Sequence, residues 1–70
     1  MIPLTERLIP LTERQTQIAD LVTEGLSEKE IGERLGLSRH TIRNHKQAIY
    51  HKTGARNAVE LTRIRLGDAA

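Results

Sequence analysis

Apolar residues recur at helical spacing along most of this chain. Leu21 and Val22 follow Ile18 by three and four positions, a spacing that places side chains on one face of a helix. Ile42 and Ile49 repeat the pattern further along. No segment shows the alternation of apolar and polar residues, or the richness in β-branched residues, that is typical of a strand. The pattern predicts an all-α fold.

Capping residues and glycines delimit the predicted helices. A Ser, Thr or Asn just before a helix accepts a hydrogen bond from a backbone N–H of the first turn, and a Glu or Gln three positions later can return a bond. Glycine commonly follows the last turn because it adopts left-handed geometry at little cost. These signals predict four helices, each with a capping residue and a glycine stop, and three of the four also have the Glu or Gln that returns a bond. In the order cap, returning residue and stop, they are Thr12, Gln15 and Gly25; Ser27, Glu30 and Gly36; Ser38 and Gly54, with no returning residue; and Asn57, Glu60 and Gly67.

The start of the chain contains a direct repeat, since Ile-Pro-Leu-Thr-Glu-Arg occurs at 2–7 and again at 9–14. A proline in each copy forbids one continuous helix, and only the second copy carries a capping pair. We interpret the first copy as an extended arm; a duplicated or cloning-derived segment is the alternative. The predicted organisation is an arm over residues 1–10, one domain over residues 11–67 and a tail over residues 68–70.

Residues 27–54 have the layout of a helix-turn-helix that reads DNA, with two helices joined by a tight turn. The 70-residue chain has a net charge of +2, but residues 1–36 carry −3, residues 37–56 carry +5 and residues 57–70 are neutral. A charge run is commonly just a solvated face, but its coincidence with the second helix favours contact with phosphates. Gly32 lies next to Ile31, inside the first helix of the helix-turn-helix, where a glycine costs about 1 kcal/mol relative to alanine. Its presence predicts that the second helix of the pair crosses closely there; simple tolerance of glycine is the alternative.

The second helix of this pair has one apolar and one polar face. Stepping by about 100° per residue from Ile42 brings Ile49 and Thr53 onto the same stripe, which is expected to be buried. Asn and Gln can form paired hydrogen bonds with adenine and Arg with guanine, so the opposite face is a candidate for reading bases; an ordinary polar surface is the alternative. The candidates are His40, Arg43, Asn44 and Gln47 for bases, and Lys29, Ser38, Thr41, His45, Lys46, Lys52 and Arg56 for phosphates.

Other chemistry finds little support in the sequence. His40 and His51 share a face but lie about 16 Å apart along the helix, so no metal site is expected. No nucleophile is paired with a base and no glycine-rich loop could hold phosphate, so we expect neither catalysis nor a cofactor. The chain lacks Cys, a bilayer-length apolar run and a secretion signal. We therefore expect a cytoplasmic protein, associated with the nucleoid when bound to DNA, with no membrane partner.

The final predicted helix has apolar residues in two directions. Leu61 and Ile64 lie on one side and Val59 and Leu66 on another, with Thr62 between them. The first pair can close the core, and Val59, Thr62 and Leu66 are candidates for a dimer interface; the alternative is that all of them pack inward or are partly exposed. A dimer would set two recognition helices one turn of DNA apart, which predicts an inverted-repeat site with half-sites about 10 bp apart.

Over residues 11–66 the chain resembles the LuxR/FixJ-type DNA-binding domain of bacterial transcription regulators. The motifs that carry the resemblance are Leu-Thr-Glu-Arg at 11–14, Glu-Gly-Leu-Ser-Glu-Lys-Glu-Ile at 24–31, Leu-Ser at 37–38, Thr-Ile-Arg-Asn-His at 41–45 and Lys-Thr-Gly-Ala-Arg-Asn at 52–57. The resemblance implies a four-helix domain whose third helix enters the major groove and whose fourth commonly mediates dimerisation. By matching position it implies phosphate or base-proximal roles for Lys29, Thr41, Arg43, His45 and Lys52.

Members of this family usually carry a receiver or ligand-binding domain upstream, for which this chain has no space, so the expectation is a stand-alone regulator set by its own abundance. We expect double-stranded DNA as its partner, a homodimer through the last helix, and RNA polymerase or a related regulator as further partners. The competing hypothesis is an interaction protein that pairs with a related regulator and titrates it away from DNA.

Overall fold

Four helices make up most of the part of the chain that the structure describes. The structure is a computed structural model that describes residues 11–67, and the predicted arm (1–10) and tail (68–70) lie outside this range. The helices are α1 (Glu13–Thr23), α2 (Glu28–Leu35), α3 (Arg39–Thr53) and α4 (Ala58–Arg65). No strand occurs within residues 11–67, and the predicted all-α fold is confirmed.

The first two helices begin at the capping pairs that the sequence predicts. At α1, Thr12 Oγ1 accepts a hydrogen bond from Gln15 N at 3.1 Å, and Gln15 Oε1 accepts one from Thr12 N at 3.0 Å. Ser27 and Glu30 exchange the same two bonds at the start of α2. Each pair satisfies backbone N–H groups that the first turn of a helix leaves without a partner.

The other helix ends follow the same local rules, with one difference. Gly36 and Gly54 end α2 and α3 in left-handed geometry, with φ angles of 72° and 81°. At α4, Asn57 Oδ1 accepts from Glu60 N at 2.9 Å as predicted, but the returning bond goes one residue further back. The Glu60 carboxylate accepts from Arg56 N at 2.8 Å rather than from the cap residue.

The core is a cluster of aliphatic side chains to which every helix contributes. α1 packs against α3 and α4, and α2 packs mainly against α3. The predicted apolar stripe of α3 is confirmed at Ile42 and Ile49, and Thr53 at its end is half-buried. The largest side chains with no exposed surface are Ile18, Ile31, Ile42, Ile49 and Leu61.

Gly32 is tightly packed, but against a different neighbour from the one predicted. A Cβ atom on Gly32 would lie 2.5 Å from the carbonyl oxygen of Leu37, which belongs to the turn between α2 and α3. Leu37 N donates a hydrogen bond to the Gly32 carbonyl at 2.9 Å. The close contact is therefore with the turn that leads into α3, not with the body of that helix, and it fixes where α3 begins.

The predicted core stripe of α4 is only half correct. Leu61 is completely buried, whereas Ile64 is 37% exposed. The short helix ends one residue later at Arg65, whose guanidinium pairs with Asp20 of α1. Leu61 in the core and the pair between Arg65 and Asp20 both connect α4 with the rest of the domain.

Candidate nucleic-acid interface

The start of α3 is organised by two hydroxyl groups. Ser38 Oγ accepts a hydrogen bond from Thr41 N at 3.1 Å and donates one to Thr41 Oγ1 at 2.9 Å. Because Thr41 Oγ1 accepts this bond, its own hydrogen remains available to a phosphate oxygen. Both candidate phosphate contacts thus lie together at the N-terminal end of the helix.

The face of α3 opposite Ile42 and Ile49 is polar and exposed. It contains His40, Asn44 and Gln47, with Arg43 at its edge about 100° from Ile42, and it contains no Asp or Glu. Because the two isoleucines are completely buried, rotation of α3 about its axis would expose apolar surface, so this face is held outward. We call it the α3 surface: His40, Arg43, Asn44 and Gln47.

One carboxylate on α2 contacts two cations of α3. Glu28 Oε1 lies 3.2 Å from Arg43 Nη2, and Glu28 Oε2 lies 3.5 Å from Lys46 Nζ. The Glu28 and Lys46 side chains are about one-fifth exposed, whereas that of Arg43 is 56% exposed. The hydrogen bond from Arg43 and the charge of Lys46 outweigh the opposing effect of burial, so the pKa of Glu28 is lowered and the carboxylate is ionised at neutral pH.

The remaining candidate phosphate contacts are divided between the two ends of the helix pair. Lys29 is exposed in the first turn of α2, and His45 is half-buried on α3. Lys52, near the end of α3, donates to Gln15 Oε1 of α1 at 2.8 Å. Arg56 lies beyond the helix and pairs with Glu60 at 3.2 Å. The structure therefore gathers Ser38, Thr41, Arg43 and Lys46 near the start of α2 and α3, and places Lys52 and Arg56 elsewhere.

Two residues at this interface were not among the sequence candidates. Glu28 reaches Arg43 across fifteen positions in the chain, and no periodicity in the sequence joins such a pair. Arg39 is the exposed first residue of α3, and its basic side chain next to Ser38 was the signal that could have identified it.

An apolar patch covers part of α4. Val59 and Leu66 are 63% and 78% exposed, respectively. Thr62 is half-buried, and its hydroxyl donates to the Ala58 carbonyl within the helix at 2.9 Å, so it adds a methyl group to the surface. We call this group the α4 patch: Val59, Thr62 and Leu66.

Neither a group of metal ligands nor a membrane-spanning helix occurs in the part of the chain that the structure describes. Within residues 11–67, no three His, Asp or Glu side chains gather closely enough to hold a metal ion. None of the helices in this range has the length and apolar character that a membrane span requires.

Comparison with known proteins identifies the family. The family described as bacterial regulatory proteins, luxR family, matches residues 9–65. The transcriptional regulatory protein UhpA of Escherichia coli (strain K12) is 43% identical over 54 residues, which cover 77% of this chain and 28% of UhpA. The response regulator RamR of Streptomyces coelicolor is 43% identical over 56 residues, covering 80% and 28%.

A more distant relative gives the same picture. The transcriptional regulatory protein DesR of Bacillus subtilis (strain 168) is 35% identical over 51 residues, covering 73% of this chain and 26% of DesR. The chain thus spans little more than a quarter of the length of these relatives. No solved structure gives a significant match. The chain belongs to the luxR family of bacterial regulatory proteins, and its four helices form the DNA-binding helix-turn-helix domain of that family.

Proposed function

We propose that the chain is a sequence-specific regulator of transcription whose α3 helix enters the major groove of double-stranded DNA. The observation that carries the proposal is the α3 surface, a polar, acid-free face held outward by two buried isoleucines on the opposite side of the helix. An α-helix fits the major groove, where each base pair presents its own pattern of donors and acceptors. Arg43, Asn44 and Gln47 carry the side chains best suited to that pattern, and His40 lies beside them.

The phosphate contacts surround this surface. Ser38 caps the start of α3, Lys29 lies on α2, and the other contacts lie in the first half of α3: Thr41, His45 and Lys46. From these positions they would approach the DNA backbone on either side of the groove. Lys52 donates a hydrogen bond to Gln15 Oε1, and its positive charge near the end of α3 would attract a phosphate. Arg56 would serve the same purpose beyond the end of α3. Each cation removed should weaken binding to all sequences alike and reduce the salt dependence.

The oligomer is proposed to be a homodimer formed through the α4 patch. Val59 and Leu66 leave apolar surface in water, and covering it by a second copy would be favourable. A two-fold axis at this patch would present two α3 helices to one side of the duplex. The expected operator is an inverted repeat with half-sites about 10 bp apart. Binding to the chromosome would place the protein in the cytoplasm, at the nucleoid.

The decisive experiment is selection of bound duplexes from a random pool, followed by binding titrations at one fixed salt concentration. The selected duplex should bind at least about 1,000-fold more tightly than random DNA, which is the lower end for specific regulators. Asn44→Ala should reduce this preference by about five-fold or more, because it removes one base contact. Gln17→Ala is the matched control, since Gln17 is an exposed amide on α1. Failure to enrich any sequence would contradict the proposal.

A second candidate function follows from the exposed α4 patch. The same apolar surface could pair with a related regulator and titrate it away from DNA, leaving the α3 surface unused. Two sets of substitutions separate these functions in cells. Changing Arg43, Asn44 and Gln47 to Ala should abolish the effect of a DNA reader and spare that of a titrating partner. Changing Val59 and Leu66 to Ser should abolish titration, and it should weaken a DNA reader only as far as that reader depends on a dimer formed through the same patch.

A further inference from the structure

Glu28 is an acidic residue beside a surface that is proposed to bind a polyanion. Its carboxylate bridges Arg43 and Lys46, both of which belong to the candidate DNA contacts. A carboxylate in that position repels the phosphates of every duplex, whatever its sequence. An explanation for its presence must therefore lie in something other than raw affinity.

The contact with Glu28 restrains Arg43 without covering it. One terminal nitrogen of the guanidinium is engaged at 3.2 Å, but more than half of the side chain is exposed. A guanidinium has five N–H donors, so the remaining ones can still reach the edge of a base. An arginine that is oriented before binding loses less conformational freedom when the complex forms, and other orientations of its side chain become less favourable.

Lys46 completes the arrangement on the other oxygen of the same carboxylate. It is the more buried of the two cations, with its side chain 22% exposed. Because Lys46 holds Glu28 Oε2, the carboxylate plane is fixed by two contacts rather than one, and Glu28 Oε1 is aimed at Arg43.

We propose that Glu28 is a positioning residue that sets the base preference of Arg43 and, in exchange, weakens binding to DNA of any sequence. The inference rests on the proposed function, because it assigns a role within the same DNA-binding surface. It predicts that loss of the negative charge at Glu28 raises the affinity for random DNA and lowers the ratio of selected to random affinity.

A purely structural role is the competing explanation. Glu28 is the first residue of α2, where a carboxylate stabilises the helix through its interaction with the N-terminal backbone dipoles. In that case a neutral replacement would lower the melting temperature and would leave sequence discrimination unchanged. Discrimination is therefore the quantity that separates the two roles.

The test compares Glu28→Gln with wild type on three kinds of DNA: the selected duplex, its single-base variants and random DNA. Glu28→Gln should bind random DNA about two-fold or more tightly, because one repulsive charge is gone. The ratio of selected to random affinity should fall about five-fold or more, with the loss confined to one base pair in each half-site. Glu33→Gln, the same charge change at an exposed position on α2, should alter the ratio less than two-fold. Thermal melting confirms that each variant is folded.

A double-mutant cycle with Arg43→Ala shows whether Glu28 acts through Arg43. In the Arg43→Ala background, Glu28→Gln should no longer change the preference at the base pair that it affects in the wild-type background. A ratio for Glu28→Gln within two-fold of wild type would overturn the inference, as would an effect of the same size in the Arg43→Ala background. Absence of any preference in the wild-type protein would instead overturn the proposed function itself.

Discussion

The α3 surface and the α4 patch are both exposed, but the helices that carry them are held very differently. α3 has two completely buried residues, Ile42 and Ile49, and its start is fixed by a turn packed against Gly32. α4 has a single buried residue, Leu61. A polar surface thus stands on a firmly anchored helix, and an apolar patch stands on a weakly anchored one.

This difference matches the demands of the two proposed partners. Reading base edges requires donors and acceptors that are placed before DNA arrives, because hydrogen bonds weaken steeply with misalignment. An apolar contact between two copies is not directional and depends chiefly on the area that is covered. We therefore expect substitutions near α3 to act through position, and substitutions on α4 to act through burial.

The anchoring of α4 can be broken with a matched pair of leucines on one stretch of chain. Leu61→Ala should lower the free energy of unfolding by about 3 kcal/mol, because it removes a fully buried side chain and leaves a cavity. Leu66→Ala should change it by less than about 0.5 kcal/mol, because Leu66 is 78% exposed. Urea denaturation at a concentration where the protein is monomeric measures both. Equal losses would mean that Leu66 is buried in solution.

The anchoring of α3 can be broken at Gly32. Gly32→Val should lower the free energy of unfolding by about 2 kcal/mol, because the new side chain would overlap the Leu37 carbonyl and push the turn away. Glu33→Val is the control, since it places the same side chain on the exposed neighbour and should cost less than about 0.5 kcal/mol. DNA affinity of Gly32→Val, measured below its melting temperature, should fall as well. Unchanged stability would show that the turn moves freely.

The sequence predicted the helices well because their ends depend on local chemistry. Thr12 with Gln15 and Ser27 with Glu30 are three positions apart, so the residues that form each cap can be recognised without knowing the fold. The burial of Ile42 and Ile49 follows from helical periodicity alone.

The features that were missed depend on tertiary placement. The bridge from Glu28 to Arg43 and the bond from Lys52 to Gln15 join different helices, so they form only once the turn and the core have set the distances. The partial exposure of Ile64 also depends on tertiary placement, because helical periodicity puts Ile64 on the same side as Leu61 but does not say how far the other helices extend over that side.

A substitution at Gln15 should strengthen the contact between α1 and α3 without altering the α3 surface or the α4 patch. Gln15 Oε1 accepts from the Thr12 backbone and from Lys52 Nζ in a buried position. Gln15→Glu replaces this neutral acceptor with a carboxylate facing an ammonium group, and we expect the free energy of unfolding at neutral pH to rise by about 1 kcal/mol. Gln17→Glu, the same change at an exposed position of α1, should have almost no effect. A loss of stability in Gln15→Glu would show that desolvation of the carboxylate outweighs its pairing.

Acid should lower the free energy of unfolding through Glu28, which joins α2 to α3, and through Glu60 at the start of α4. This is the smallest of the expected effects. The pKa of Glu28 is lowered by Arg43 and Lys46, and that of Glu60 by the Arg56 backbone N–H and side chain, from an ordinary value of 4.5. Because the folded pKa values lie below the unfolded ones, the unfolded state binds more protons in between. These contributions are therefore complete above about pH 4.5 and are lost as the pH falls through the folded values.

Urea denaturation between pH 7 and pH 3 measures this acid dependence. Glu28→Gln and Glu60→Gln should each flatten the decline in the free energy of unfolding below about pH 4.5. Glu28→Gln should flatten it more, because Glu28 pairs with two cations and its side chain is 21% exposed. Glu60 pairs with Arg56, is affected more weakly by Arg63 and has a side chain that is 31% exposed. A larger effect at Glu60 would mean that electrostatic contacts hold the start of α4 more firmly than they hold α2 against α3, which is the reverse of the order inferred from packing.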